Sequence, residues 1–162
     1  MPFPVTFIRD GFTVTARIEP DDCGEAPWIA DEGHGPVTDW TTRSKRAGER
    51  ILNQDRGVFR YYDFAEACKI ALRDGWNCAQ NRTDAAKAAE EDFRRLRAWC
   101  NNDWTYVGVV LSVARNGVTL DNHAASLWGI ESDCGDYLAE VAEDLVDDAA
   151  NVGRVILAKI NA

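Results

Sequence analysis

The sequence predicts an α+β fold, an antiparallel sheet of about five to six strands with three helices packed on one face, in a single domain over residues 1–162. Three observations predict it. Runs rich in β-branched and aromatic residues fall in two clusters, one near each end of the chain, and two of the turns between them carry Asp-Gly or Asn-Gly. Between the clusters lie segments with apolar residues at steps of three and four. A last segment with the same spacing closes the chain.

Residues 3–19 read as a hairpin, FPVTFIRD and FTVTARIEP about a turn at Asp10-Gly11. From about 21 to 57 the chain changes character. Prolines and glycines recur through EPDDCGEAPWIADEGHGPVTDW, which predicts a long irregular loop, with Trp28 and Trp40 expected to pin it to the core. VFRYYD, residues 58–63, is the next strand. A helix should follow, because Asp63 with Glu66 forms a capping arrangement, Phe64, Ala67, Cys68, Ala71 and Leu72 share a face, and Gly75 suits the stop. A second helix from about Thr83 to Cys100 buries Ala85, Ala89, Phe93, Leu96 and Cys100. WTYVGVVLSVARNGVTL then forms a hairpin at Asn116-Gly117, and a further strand is expected at about Ala124 to Ile130. The final helix starts near Gly135, and Gly153 leaves its end open.

Charge is the most distinctive feature of the chain. The net charge is −9, which disfavours direct binding to nucleic acid or to an anionic membrane. Glu131, Asp133, Asp136, Glu140, Glu143, Asp144, Asp147 and Asp148 hold eight of the 27 acids within 131–148, and that stretch contains no lysine or arginine. The sign reverses between Arg43 and Arg60, where six basic residues face only Glu49 and Asp55. That basic segment has no aromatic partner in sequence except Trp40, and it is expected to balance the protein's own acids.

On a helical projection Leu138, Val141, Ala142, Leu145, Ala149 and Val152 form the core face, whereas Asp136, Glu140, Glu143 and Asp147 cluster at the opposite pole. Like charges at i, i+4 cost a few tenths of a kcal/mol each, and the macrodipole rewards acids only in the first turn. Such a ridge suits a partner with a basic surface, normally one that grips nucleic acid. All eight acids are therefore candidate partner-binding residues. A plain structural role is also open for Asp133 or Asp136, either of which could cap the helix.

Other chemistry is weakly signalled. Cys23, Cys68, Cys78, Cys100 and Cys134 are widely and irregularly spaced without a CxxC, as expected of reduced thiols in a cytoplasmic protein. His34 and His123 are the two histidines, and neither has zinc-ligand spacing to the cysteines. His34 with Cys23 leaves open an enzyme or metal-dependent module, although no GxSxG or phosphate-binding loop occurs. No catalytic residue, cofactor or metal is expected. No segment has the pattern of a signal peptide or membrane span.

At GHGPVTDW, RYYDF, AAEEDFRRLRAWCNNDWTYVGVVL and SLWGIESDCGDYLAEVAEDL the chain resembles a family of small accessory proteins encoded by tailed phages and prophages. The resemblance covers roughly residues 33–148, and its most specific pieces are WTYVGVV and SLWGIES leading into the acidic helix. It carries no catalytic residues. It implies a context in the host cytoplasm, where genes of this size often encode antagonists of bacterial defence, including anti-CRISPR proteins and DNA mimics. The expectation is a non-enzymatic acidic inhibitor that meets a host defence protein at its nucleic-acid-binding surface, and the alternative within that context is a virion structural or assembly protein.

Overall fold

The structure is a computed structural model that describes residues 2–161. The chain divides into two compact units, one formed by residues up to Gly24 together with those from Thr105 onward, the other by Glu25–Trp104. The second unit is thus an insertion between two strands of the first.

In the first unit, β1 (Val5–Arg9), β2 (Phe12–Pro20), β5 (Tyr106–Arg115) and β6 (Val118–Glu131) form a four-stranded antiparallel sheet in the order β1-β2-β5-β6. The β2–β5 pair spans the insertion, with Thr13 opposite Ala114 and Pro20 opposite Val107. Both turns predicted from sequence are present. Asp10-Gly11 and Asn116-Gly117 each take two successive positive φ angles, which match the twist of the strands they join. The expected separate strand at 124–130 is instead the second half of a continuous β6, whose pairing with β5 is interrupted by bulges. Helix α4 (Tyr137–Ile160) packs on this sheet. Phe12, Val14, Ala16, Val109, Leu111 and Val113 meet Val141, Ala142, Val146, Ala149 and Ala150 in one dry core.

In the second unit, β3 (Glu49–Asp55) and β4 (Val58–Asp63) form a two-stranded sheet with α1 (Pro27–Ala30), α2 (Phe64–Asp74) and α3 (Arg82–Cys100). The predicted caps of α2 hold. Asp63 accepts from the Glu66 amide at 3.0 Å, and Gly75 ends the helix in the left-handed conformation at φ 68°. Asn81 caps α3 by accepting from the Asp84 amide at 2.8 Å. The core of this unit is Leu52, Tyr62, Ala67, Ala89, Phe93 and Leu96, while Ala71, Ala79, Ala85 and Ala88 form a second patch beside Trp76.

Six strands are present, but they belong to two sheets, and the helices do not share one face: α4 lies on the large sheet, whereas α1 to α3 belong to the insertion with β3 and β4. The irregular loop expected at 21–57 ends at Gly48, because β3 begins at Glu49. The remainder of it is tied to β4. Thr38 and Thr41 donate to the carbonyls of Tyr61 and Phe59, and the Asp63 amide donates to Pro36. Trp28 packs into the core as expected, but Trp40 stays 42% exposed.

Candidate functional site

The acidic surface is built on α4, and its geometry follows from how that helix is seated. The buried residues are Val141, Ala142, Val146, Ala149, Ala150 and Gly153, whereas Leu138, Leu145 and Val152 are only partly covered. The core stripe is rotated from the predicted one toward the smallest residues. Gly153 supplies the reason. A Cβ there would stand 2.8 Å from the Phe12 ring and 3.0 Å from Val113, so the helix approaches the sheet most closely at a residue with no side chain. It also passes through Gly153 without a break and ends at Ile160.

Asp136, Glu140, Glu143, Asp144, Asp147 and Asp148 are all exposed. Asp136 stands at the N-cap position yet makes no side-chain cap bond, so it is not spent on the helix terminus. Glu131 ends β6, partly buried and opposite Tyr106, and Asp133 lies in the turn that follows. Both are engaged within the protein and lie off the helix face.

The ridge is not of one sign along its whole length. Arg9 at the end of β1 pairs with Asp147, and Asp10 in the adjoining turn pairs with Arg154, seven residues beyond Asp147 on the same side of α4. Of the ridge acids, Asp147 is thus compensated by Arg9, while Arg154 is taken up by Asp10. Among the described residues no lysine or arginine pairs with Asp136, Glu140, Glu143, Asp144 or Asp148. These five carboxylates form the uncompensated part, near the start of the helix and on one flank. The first unit carries thirteen acids against five basic residues, a net of −8, while the insertion carries fourteen against thirteen. Nearly all the excess charge therefore resides in the unit that bears α4.

Comparison with protein-family models, with curated proteins and with solved structures finds no match for this chain. The site is accordingly read from its own chemistry.

The insertion contains a polar cluster that the sequence reading did not assemble. Asp92 of α3 accepts from the Tyr62 hydroxyl at 2.7 Å and the Gly35 amide at 2.8 Å, and its other oxygen lies 2.6 Å from His34 Nδ1. Gly35 is required here, because a Cβ would stand 2.5 Å from the Tyr62 hydroxyl. Burial and the hydrogen bond to Asp92 push the Tyr62 phenol well above its usual range, so it acts as a donor and not as a base. The cluster fastens the 33–35 loop to α3 and β4. A signal for it existed: Asp92 falls within the buried Ala85, Ala89, Phe93, Leu96 stripe, where a carboxylate must find donors.

His34 therefore meets Asp92, not Cys23, which is exposed and belongs to the other unit. Among the described residues no group of three or more His, Cys, Asp or Glu is placed to hold a metal ion. Cys68 and Cys100 are both held above the ordinary thiol range by burial, which suppresses the reactive thiolate. The tryptophans do converge in part. Trp28 meets Trp99 edge-on at 5.4 Å, and Arg60 fills the space beside Trp28 and Trp40, 5.1 and 4.2 Å from their ring centres.

Two of the six cations of the basic segment, Arg43 and Arg50, are held by close carboxylates. Arg43 forms a bidentate pair with Glu49 at 2.8 and 2.6 Å, and its guanidinium lies over Tyr61. That bond holds the Glu49 carboxyl down at about 2. Arg50 pairs with Glu90 and stacks 3.6 Å from the Phe64 ring centre. The aromatic partners that the local sequence lacked are supplied by β4, α1 and α2.

Proposed function

We propose that this chain is a non-catalytic binding protein whose acidic helix docks on a basic, nucleic-acid-binding surface of a partner protein. The observation that carries this reading is the set of five exposed, uncompensated carboxylates, Asp136, Glu140, Glu143, Asp144 and Asp148, on a helix whose opposite face is fully occupied by packing. None of them pairs with a lysine or arginine among the described residues, and beyond Asp136 and Glu140, which the macrodipole favours at the helix start, their mutual repulsion opposes folding. Steps of four residues set neighbouring carboxylates roughly 6 Å apart, comparable with successive phosphates of a nucleic-acid strand. Electrostatic complementarity of this kind steers association and excludes competing phosphate.

The resemblance to phage accessory proteins supplies the context: an inhibitor acting in the host cytoplasm on a defence nuclease such as a CRISPR effector. In keeping with that setting, no described helix is long and apolar enough to cross a membrane. The test is competition. Wild-type protein should displace labelled DNA from its target effector, and the triple variant Glu140→Lys, Glu143→Lys, Asp144→Lys should lose that activity while keeping its circular dichroism spectrum. Displacement should weaken as salt rises. Full displacement by the triple variant would remove α4 from the interface.

A further inference from the structure

The insertion carries an open groove whose chemistry is the converse of the α4 ridge. Residues 49–54 of β3 line an open groove of ≈ 810 Å³, together with Lys45 and with Phe93, Arg97, Cys100 and Asn101 from the second half of α3. Six consecutive strand residues line it, which means that the strand presents its edge and not merely one face. Glu49 at its start is already satisfied, its amide donating to the Arg46 carbonyl and its carbonyl accepting from Lys45 Nζ; beyond Glu49 the edge has no strand partner among the described residues. β4 is covered on both sides, by β3 and by the bridges from Val37 and Thr41, whereas among the described residues β3 pairs with β4 alone. An uncovered strand edge offers backbone donors and acceptors to an incoming strand.

Three observations define what would add there. The first is charge. Glu49 is committed to Arg43 and Arg50 to Glu90, so Lys45 and Arg97 are left as the cations at the groove without a carboxylate partner among the described residues. The second is a vacant acceptor, since Asn53 Oδ1 is buried and accepts no hydrogen bond. Having no accessible surface, that atom would gain a donor only through a local shift of β3, as when a strand adds to its edge. The third is apolar contact, from Ile51 at 40% exposure beside the Phe93 ring. A β-bulge at Ile51 to Asn53 sets these side chains out of simple alternation, a feature common where a strand is shaped for binding.

We propose that this groove binds an extended acidic peptide segment of a partner protein, which adds as a strand to the free edge of β3 and sets its carboxylates against Lys45 and Arg97. This surface is independent of the α4 ridge.

The probe is a fluorescein-labelled peptide of alternating valine and glutamate, compared with its valine–lysine counterpart and with a labelled oligothymidylate, by anisotropy with the full chain. The acidic peptide should bind, and amide shifts should concentrate on residues 49–54 and 93–101. N-methylating alternate peptide bonds should reduce affinity tenfold or more in one phase and leave it nearly unchanged in the other, because only one set of amides faces β3. Arg97→Glu should also reduce affinity at least tenfold while leaving peptide-free amide spectra otherwise intact. Absence of binding by the acidic peptide, equal binding of the lysine peptide, preference for oligothymidylate, or insensitivity to N-methylation in both phases would each overturn the proposal; the N-methyl series stands even if the variant fails to fold.

Discussion

The acidic stretch at 131–148 and the basic stretch at 43–60 look alike in sequence, each a run of nearly one sign, yet they differ in how much of that charge the protein itself takes up. In the basic stretch Arg43 is gripped by Glu49, Arg50 by Glu90, and Arg60 lies beside two indoles. On the acidic helix Asp147 gains a cation, from Arg9, while among the described residues no lysine or arginine pairs with Asp136, Glu140, Glu143, Asp144 or Asp148. A charge run in sequence therefore reports composition, and tertiary structure decides whether the charge is spent internally. What remains unspent is the better guide to a surface that works on something else.

That contrast can be broken or sharpened by mutation, and the largest effect is expected in the insertion. Asp92→Ala would leave Tyr62, Gly35 and His34 without their shared acceptor, and should cost about 3 kcal/mol or more in urea unfolding, since each stranded buried donor costs ~1–3 kcal/mol. Asp92→Asn, which retains one acceptor oxygen, should cost less. In the other unit, Gly153→Val would force α4 away from Phe12 and Val113, with an expected loss of about 2 kcal/mol by the same measurement.

A smaller effect separates the two stretches by pH. Glu49 has a folded pKa of about 2 against its ordinary 4.5, because the Arg43 bond favours the carboxylate. Its contribution to stability is complete above pH 4.5 and is lost as the pH falls toward 2. Glu49→Gln should therefore flatten the acid limb of the stability curve and lower stability at neutral pH. The smallest effect belongs to the ridge. Glu140→Lys, Glu143→Lys and Asp144→Lys together should change stability by no more than about 0.5 kcal/mol, because relief of like-charge repulsion is offset by the loss of an acid from the first turn at Glu140. A clear loss of stability would show that these acids serve the fold.

Much of the architecture was legible for identifiable reasons. Asp10-Gly11 and Asn116-Gly117 announce their hairpins because few residues other than glycine and asparagine or aspartate accept two positive φ angles in succession. The equivalent turn at Arg56-Gly57 was hidden, since arginine seldom adopts φ 50°, and ERILNQD has no apolar alternation to mark β3 as a strand. The α4 stripe was misplaced because periodicity gives weight to large residues, whereas this helix packs by its smallest. Of the candidate site, the exposed face of α4 could be read from spacing alone. The Arg9 and Arg154 pairs could not, because their partners lie 138 and 144 residues away.

The sequence by itself determined the three longer helices and the caps of α2, two of the hairpin turns, the α+β class and the location of the negative charge. These are local properties, written in neighbours within a few residues of one another. Only the tertiary structure decided that the strands separate into two sheets, that Glu25–Trp104 forms a unit of its own, and which charges find partners. Those outcomes depend on contacts between distant segments, such as the pairing of β2 with β5 across the insertion, and a pattern confined to neighbouring residues holds no record of them.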